Sequence, residues 1–282
     1  MTTAAYLERL GLDPDPEPTL DTLTAIHRAH VQQVPYDNLE IMLGRPVSVD
    51  PRDSLDRVAT IGRAGYCFHQ NGALEALLTD LGYAVRRHHG AVWFDPADRD
   101  RTDLNHLVLS VSGLPTEANP GGRWWPDAGL GEGFLDPVPL VVGTIHDGPL
   151  TMSVTEVSED GWSFRNDPRG SFTGLEVRAL PVGADAVEAA HRRLSTPPDG
   201  TFTKKLVVQR RDPDAMLTVR GCVVVRVDEA GLHQHEATTY DEWRDALAEL
   251  RLPLADVPEG EVRALFDRTL VAHRAWVEEG RP

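Results

Sequence analysis

The chain has little cysteine and no long apolar run. Only two cysteines, Cys67 and Cys222, occur in 282 residues, which is too few for a disulfide-stapled secreted scaffold. No stretch of about eighteen apolar residues is present, so no membrane-spanning helix is expected. The first residues also lack the basic start and apolar segment of a secretory signal. We therefore expect a protein of the reducing cytoplasm.

Basic residues are in deficit, with 28 Lys and Arg against 44 Asp and Glu and a formal net charge of −16. A field of this sign repels nucleic acid and anionic membrane, and neither is expected as a partner. One phosphate-bearing ligand stays compatible with a local basic patch. The places for such a patch are Arg123 and the run Lys204, Lys205, Arg210 and Arg211, although scattered solvated bases give the same pattern.

Helical periodicity dominates the first eighty residues. Residues 19–33, 53–60 and 72–82 each carry apolar side chains on one face, and the last of these segments ends at Gly82, a good helix stop. After residue 82 the period changes to that of short strands separated by Gly, Pro and Asp turns. These strands are predicted at 83–94, 105–113, 150–157, 161–167 and 175–182.

The last hundred residues mix both types of element. A helix is predicted at 183–195, and two more at 241–250 and 260–279. Strands are predicted between them, at 202–210, 216–219 and 222–228. Segregated helices and strands, without a steady alternation, favour an α+β fold with about three subdomains.

Cys67 stands where the turn "RAGY" gives way to a helical pattern. A thiol attacks as its thiolate, which a helix N-terminus and a neighbouring imidazolium both favour. Free cysteine is also among the most buried residue types, so position alone leaves a core role and a catalytic role open. Cys222, inside the apolar run "CVVVRVD", is predicted to be a core residue.

A nucleophilic thiol needs a base and a group that orients the base. Among 11 histidines, His69 lies two residues after Cys67 on the helix and faces away from it. His106 begins an apolar strand directly after a polar loop. Asp127 follows two tryptophans, where burial would oblige it to find a partner. Cys67, His106 and Asp127 thus form a candidate thiol–imidazole–carboxylate set, although His and Asp are abundant enough to make the spacing a weak signal.

The flanking segments strengthen this set. "RAGYCFHQN" (63–71) resembles the nucleophile segment Arg-Gly-Gly-aromatic-Cys-aromatic-Glu-x-Asn of the arylamine N-acetyltransferases. "HLVLSV" (106–111) and "PDAGLGEGFLDPVPL" (126–140) resemble that family's histidine and aspartate segments, in the same order. "VPYDNLEI" (34–41) resembles its Ile-Pro-Phe-Glu-Asn-Leu motif, and residues 195–211 resemble the start of its third domain. From residue 34 to about 221, the chain is identified as a member of this family.

The resemblance implies a three-domain fold around a papain-like Cys-His-Asp core. A helical bundle (1–83) would carry the nucleophile, a β-barrel (84–183) the histidine and aspartate, and an α/β lid (184–282) would complete the site. It also implies ping-pong transfer, in which Cys67 takes acetyl from acetyl-CoA and passes it to an arylamine or arylhydrazine. His106 would activate the thiol and Asp127 would orient the imidazole. Acetyl-CoA or another acyl-CoA would be a cosubstrate, with no metal and no permanently bound cofactor.

Further contacts are implied by the same resemblance. The backbone N–H of Phe68 is a candidate for the oxyanion hole. Aromatic residues expected to line the acceptor pocket are Tyr36, Phe68 and Phe202. Residues of the loop before His106 expected to contact coenzyme or substrate are Thr102, Asp103 and Asn105. Glycines whose backbone can approach the pyrophosphate are Gly129, Gly131 and Gly133, although a simple turn would look identical.

Two positions depart from the family pattern: His69 replaces the usual Glu, and Ala64 replaces a Gly, which requires a negative φ there. These departures leave the substrate class more open than the mechanism. The main alternative is a relative that forms amides in natural-product assembly, taking its acyl chain from an acyl carrier protein. A thiol protease shares the Cys–His–Asp order, but the flanking motifs argue against it. A binding module with a dead site would not need all three triad residues.

Overall fold

The computed structural model describes residues 2–198 and 200–281, and within this part of the chain eight α-helices and thirteen strands form. The helices are α1 (Thr2–Arg9), α2 (Leu20–Gln33), α3 (Leu39–Met42), α4 (Pro51–Ile61), α5 (Cys67–Asp80), α6 (Ala184–Ser195), α7 (Tyr240–Glu249) and α8 (Glu259–Glu278). The strands are β1 (Tyr36–Asp37), β2 (Ala84–Trp93), β3 (His106–Ser112), β4 (Trp124–Trp125), β5 (Val138–Pro139), β6 (Gly143–Asp147), β7 (Leu150–Val157), β8 (Gly161–Arg165), β9 (Gly174–Arg178), β10 (Val207–Asp212), β11 (Ala215–Arg220), β12 (Val223–Asp228) and β13 (Gly231–Glu236).

Local signals explain where the first helices begin and end. The Thr19 hydroxyl accepts a hydrogen bond from the Thr22 amide and caps α2. Pro51 stands in the first turn of α4, and Gly62, in the left-handed conformation with φ 74°, ends that helix. α5 differs because it is buried on nearly every side, between α4 and the strands β2 and β3. A helix that is apolar all round belongs in the interior, and this one carries Cys67 at its buried N-terminus.

Eight antiparallel strands form one sheet, in the order β5-β4-β3-β2-β9-β8-β7-β6. The sheet curls around an aromatic core that includes Trp125, Phe134 and Phe164. The predicted barrel is thus a curled half-barrel, whose two edge strands are β5 and β6. β3 pairs with β2 so that His106 lies opposite Gly90, at the end of the ladder.

The second sheet has the order β1-β10-β11-β12-β13 and is covered by α7 and α8 through a core that includes Trp243, Leu247 and Leu265. Its edge strand β1 comes from the N-terminal segment, and Tyr36 pairs with Gln209 of β10. Strand pairing therefore joins the N-terminal helical segment to the C-terminal sheet. The division into three domains at 83/84 and 183/184 remains a proposal.

The structure confirms the α+β class. The strand predicted at 202–210 is confirmed only in part: residues 202–206 are not strand, because Thr201–Thr203 form a 3₁₀ turn and β10 begins only at Val207. The cause is the buried Asn38, whose amide donates to the carbonyls of Phe202 and Lys205 at 2.8 Å each, while its oxygen accepts from the Val207 amide. This long-range clamp holds the loop off the sheet. Among the described helices, none combines the length and apolarity that a membrane crossing requires.

Candidate active site

The N-terminus of α5 presents Cys67. Tyr66 precedes it in an extended conformation, and the Tyr66 carbonyl accepts from the amides of His69 and Gln70 at 2.9 and 3.0 Å. Gly65, with φ 133°, makes the turn into the helix, and a Cβ there would come within 2.7 Å of His69 Nδ1. Ala64 does not have a positive φ, as expected for an alanine in the place of a glycine. The thiol is 2% exposed and lies 3.7 Å from the Asn105 carbonyl.

His106 and Asp127 face each other across the start of the curled sheet. His106 Nε2 lies 2.9 Å from Asp127 Oδ2 and 3.1 Å from Oδ1, and both side chains are almost completely buried. The Trp125 indole N–H also donates to Oδ2, at 3.0 Å. Because the carboxylate occupies Nε2, Nδ1 is the imidazole nitrogen left for Cys67.

Asn71 completes the hydrogen bonding of the carboxylate. It lies one helical turn after Cys67, and its amide donates to Asp127 Oδ1 at 2.7 Å and to the Leu107 carbonyl at 2.6 Å. Its oxygen accepts from the Gly129 amide at 3.1 Å. Asn71 therefore ties the nucleophile helix to the aspartate and to β3. Asn71 belongs to the nucleophile motif but was not predicted to be a site residue; its signal in the sequence is a polar side chain four residues after Cys67 on an apolar helix.

His27 supports Asp127 from below. Its Nδ1–H donates to the Leu135 carbonyl at 2.7 Å, so its Nε2 can accept the Asp127 backbone N–H at 3.0 Å. Burial lowers the pKa of His27, which keeps the ring neutral in this arrangement. The sequence showed only a histidine on the apolar face of α2, for which packing is the ordinary explanation.

Burial and the neighbouring groups have opposite effects on the pKa of His106. Burial disfavours the imidazolium, but the Asp127 charge, its hydrogen bond and the Cys67 thiol outweigh it and raise the pKa of His106 to about 10. His106 is therefore cationic at neutral pH. An imidazolium beside a cysteine favours the thiolate.

His69, which the family pattern would have as Glu, is a neutral packing residue. It is 2% exposed, its Nε2 lies 3.3 Å from the Val47 carbonyl, and its ring meets that of His191 edge-on at 5.4 Å. Burial and the nearby His191 lower its pKa to about 3. The departure from the family pattern thus replaces a carboxyl group with an uncharged ring.

Cys67 and His106 open into one cavity of about 390 Å³. Its apolar walls are formed by Tyr36, Phe94, Phe172, Leu194, Phe202 and Val207. Its cationic rim is formed by Arg101, Lys205 and Arg220. Lys205 and Arg220 also line an adjoining cavity of about 260 Å³, together with Lys204 and Arg268.

Only some of the residues predicted to contact the substrates line this cavity. Tyr36, Asn105, Gly129 and Phe202 line the cavity. The Asn105 side chain is hydrogen-bonded to the backbone of Val92: its oxygen accepts from the Val92 amide at 2.8 Å, and its amide donates to the Val92 carbonyl at 2.9 Å. Only the backbone carbonyl of Asn105 therefore faces the thiol.

Three residues predicted to contact the substrates, Phe68, Thr102 and Asp103, do not line this cavity, and their contacts stay predictions. Phe68 is fully buried with its ring edge-on against Tyr66, in a core cluster that also includes Leu107 of β3 and Leu194 of α6. Thr102 and Asp103 lie on the neighbouring loop without lining the cavity. Asp103 instead accepts a two-pronged ion pair from Arg101.

The glycines after Asp127 have structural reasons to be glycine. A Cβ on Gly129 would come within 2.9 Å of Cys67 Cα, and the Gly129 amide already donates to Asp127 and Asn71. Gly131 has φ 70°, and a Cβ there would meet Gln209 and Tyr36. The Gly129 amide is therefore not free for a pyrophosphate. Gly133 likewise packs against Leu130.

The chain resembles known proteins over most of its length. The profile of a family described as N-acetyltransferase matches residues 19–255. The arylamine N-acetyltransferase of Mycolicibacterium smegmatis is 32% identical over 240 residues, which cover 78% of this chain and 80% of that protein.

Solved structures give the same result. The M. smegmatis arylamine N-acetyltransferase structure superposes with a TM-score of 0.84 at 28% identity, over 96% of this chain and 99% of the other. The Mycobacterium marinum arylamine N-acetyltransferase in complex with CoA superposes with a TM-score of 0.83 at 25% identity, over 95% and 99%. In sequence and in fold, over most of its length, the chain belongs to the arylamine N-acetyltransferase family of enzymes.

Proposed function

We propose that the chain moves an acetyl group from acetyl-CoA, through a thioester on Cys67, to the nitrogen of an arylamine or arylhydrazine. The observation that carries the proposal is the pair Cys67 and His106 in one cavity, with Asp127 bonded to the far nitrogen of the imidazole. This is the order of groups that nucleophilic catalysis by a thiol requires.

In the first half-reaction the Cys67 thiolate attacks the acetyl carbonyl. The tetrahedral intermediate collapses as the carbon–sulfur bond to CoA breaks, and His106 gives its proton to the departing CoA thiolate. Asp127 stabilises the imidazolium before this transfer and holds the ring tautomer after it. Acetyl-Cys67, neutral His106 and CoA result.

The backbone N–H of Phe68 is our candidate for the oxyanion donor. Amides in the first turn of a helix have no acceptor within the helix, and this one follows directly on Cys67. The side chain of Phe68 can be buried while its amide faces the thioester.

In the second half-reaction the amine nitrogen attacks the thioester carbonyl. His106 takes the proton that the nitrogen loses, and the carbon–sulfur bond to Cys67 breaks. The acetylated amine leaves, and the thiolate–imidazolium pair is restored.

The cavity walls favour a flat apolar acceptor. Tyr36, Phe172 and Phe202 present aromatic surface beside Cys67, while Leu194 and Val207 fill the remaining wall. Aromatic side chains pack edge-on or offset against an aryl ring at modest separation. An aryl group can thus lie on these walls with its amine toward the thioester.

The cationic rim favours a donor that carries phosphates. Lys205 and Arg220 stand between the cavity at Cys67 and the adjoining cavity with Lys204 and Arg268. Such a local concentration of positive charge stands out in a chain of net charge −16. A relative of the same fold is described in complex with CoA, which supports CoA as the carrier.

Intact-protein mass spectrometry after mixing with acetyl-CoA alone tests the proposal. We expect one added acetyl group, which peptide mapping places on Cys67 and not on Cys222, and its loss when an arylamine is added. Cys67→Ala should fold and gain no acetyl group. Absence of acetyl-enzyme from the wild-type protein, with acylation by a carrier-bound acyl chain instead, would favour the amide-forming alternative.

A further inference from the structure

A separate cavity of about 920 Å³ lies at one end of the curled sheet and shares no lining residue with the cavity at Cys67. Arg86 of β2 pairs with Ser110 of β3, and His88 pairs with Val108, a core residue inside the curl. His88 also meets Trp162 of that core edge-on at 5.1 Å. The cavity therefore opens on the inner face of the sheet, and we call it the mouth cavity.

Two guanidinium groups line the mouth cavity without a counter-ion. Over residues 2–198 and 200–281, neither the Arg86 nor the Arg123 guanidinium makes a hydrogen bond or an ion pair to the protein. Arg87, the next residue of β2, also borders the mouth cavity, but its guanidinium is paired with Glu75 at 2.7 Å. Glu159 also borders the mouth cavity but lies beyond ion-pair distance of both arginines.

The floor of the mouth cavity is polar and buried. His88 is 6% exposed, and its Nε2 lies 2.7 Å from the Ser110 hydroxyl. His88 Nδ1 has no hydrogen-bond partner among the described residues. Burial, Arg123 and Arg86 lower the pKa of His88 to about 4, so both guanidiniums act on the same neutral ring. When His88 Nε2–H donates to Ser110, the hydroxyl hydrogen is left for a ligand.

We propose that the mouth cavity binds the phosphoryl or carboxylate group of a small anionic molecule. Guanidinium forks match these two groups in shape and charge, and the Ser110 and Ser112 hydroxyls add neutral donors. The volume admits a metabolite-sized molecule. The site is independent of acyl transfer at Cys67.

Calorimetric titration with inorganic phosphate and, separately, with citrate tests the site, with chloride holding the ionic strength constant. We expect binding that Arg86→Gln/Arg123→Gln weakens by about tenfold or more, since each charge-assisted bond is worth about that factor. The matched control is Arg192→Gln, an exposed arginine of α6. Equal affinities for the double variant and the control would overturn the proposal, as would failure of both anions to bind the wild-type protein.

A site-resolved measurement separates the mouth cavity from the basic rim near Cys67, which also attracts phosphate. We expect the anion to raise the pKa of His88, followed by NMR of its imidazole in the wild-type protein, because it brings negative charge beside a ring that now faces two cations. This readout does not depend on the folding of the double variant. An unchanged His88 titration at saturating anion would contradict the proposal.

Discussion

Two buried histidines on neighbouring strands, His106 on β3 and His88 on β2, experience opposite electrostatics. Burial acts against the imidazolium at both. His106 has Asp127 at 2.9 Å and a pKa raised to about 10, whereas His88 has a serine partner, two guanidiniums nearby and a pKa lowered to about 4. Burial alone therefore does not set the charge of a histidine in this fold. The charge of its partners sets it: His106 is paired with the Asp127 carboxylate, whereas His88 is paired with the neutral Ser110 hydroxyl.

The largest change in this difference between the two histidines is expected from Asp127→Asn, which removes the carboxylate beside His106. We expect the pKa of His106 to fall, because the Asp127 charge is the largest contribution that opposes burial, and acetylation of Cys67 to slow by about 10³- to 10⁴-fold. Stopped-flow acylation with acetyl-CoA and an NMR titration of His106 measure both effects.

Asp136→Asn is the matched control, since Asp136 is a carboxylate of the same loop that is half exposed and pairs with Arg28. It should leave acylation near the wild-type rate. If both variants acylate equally fast, Asp127 does not set the charge state of His106.

Asn71→Ala tests the scaffold beneath the carboxylate. The variant removes donors from Asp127 and from the Leu107 carbonyl, and we expect a loss of about 1–3 kcal/mol in the free energy of unfolding. Acylation should also slow, because Asp127 loses one of its constraints. Urea unfolding and acylation rates are the measurements.

Gln70→Ala provides a control on the same helix. Gln70 is a buried amide that bonds the Pro35 and Gly65 carbonyls and does not touch Asp127. It should lower stability while leaving the pH dependence of acylation unchanged. If the pH dependence of acylation were also unchanged in Asn71→Ala, Asn71 would stabilise the fold without affecting the Asp127–His106 pair.

The sequence predicted the triad but not the network that holds it. Cys67, His106 and Asp127 could be named because their flanking motifs are specific. Asn71 and His27 could not, since each acts through contacts between segments far apart in the chain. The first part of the strand predicted at 202–210 was wrong for the same kind of reason, because Asn38, some 165 residues away, holds that loop. Arg123 stood out as a place for a basic patch, but it directly precedes β4, and only the pairing of β4 with β3 and of β3 with β2 places it beside Arg86 and His88.

The two histidines should also give stability opposite dependences on pH. His106 has a folded pKa above its ordinary 6.5, so its contribution is fully present below pH 6.5 and is lost as pH rises through about 10. His88 has a folded pKa below 6.5, so the native state loses stability as pH falls from 6.5 toward about 4.

Unfolding measured from pH 4 to 10 for His106→Gln and His88→Gln separates these contributions. The first variant should flatten the alkaline side of the stability profile and the second the acid side. Flattening on the same side for both would show that burial, and not the partner, governs the two rings.

The smallest effect is expected at the partner of His88. Ser110→Ala removes the hydroxyl 2.7 Å from Nε2 and leaves a buried ring with neither nitrogen bonded, which should cost about 1–2 kcal/mol of unfolding free energy. Ser112→Ala, a neighbouring hydroxyl of the mouth cavity without that bond, should cost less. The pKa of His106 should be unchanged in both, because its charge depends on Asp127. Equal stability of the two variants would mean that the Ser110 hydroxyl does not stabilise His88, and that the neutral ring is held by packing against Trp162 alone.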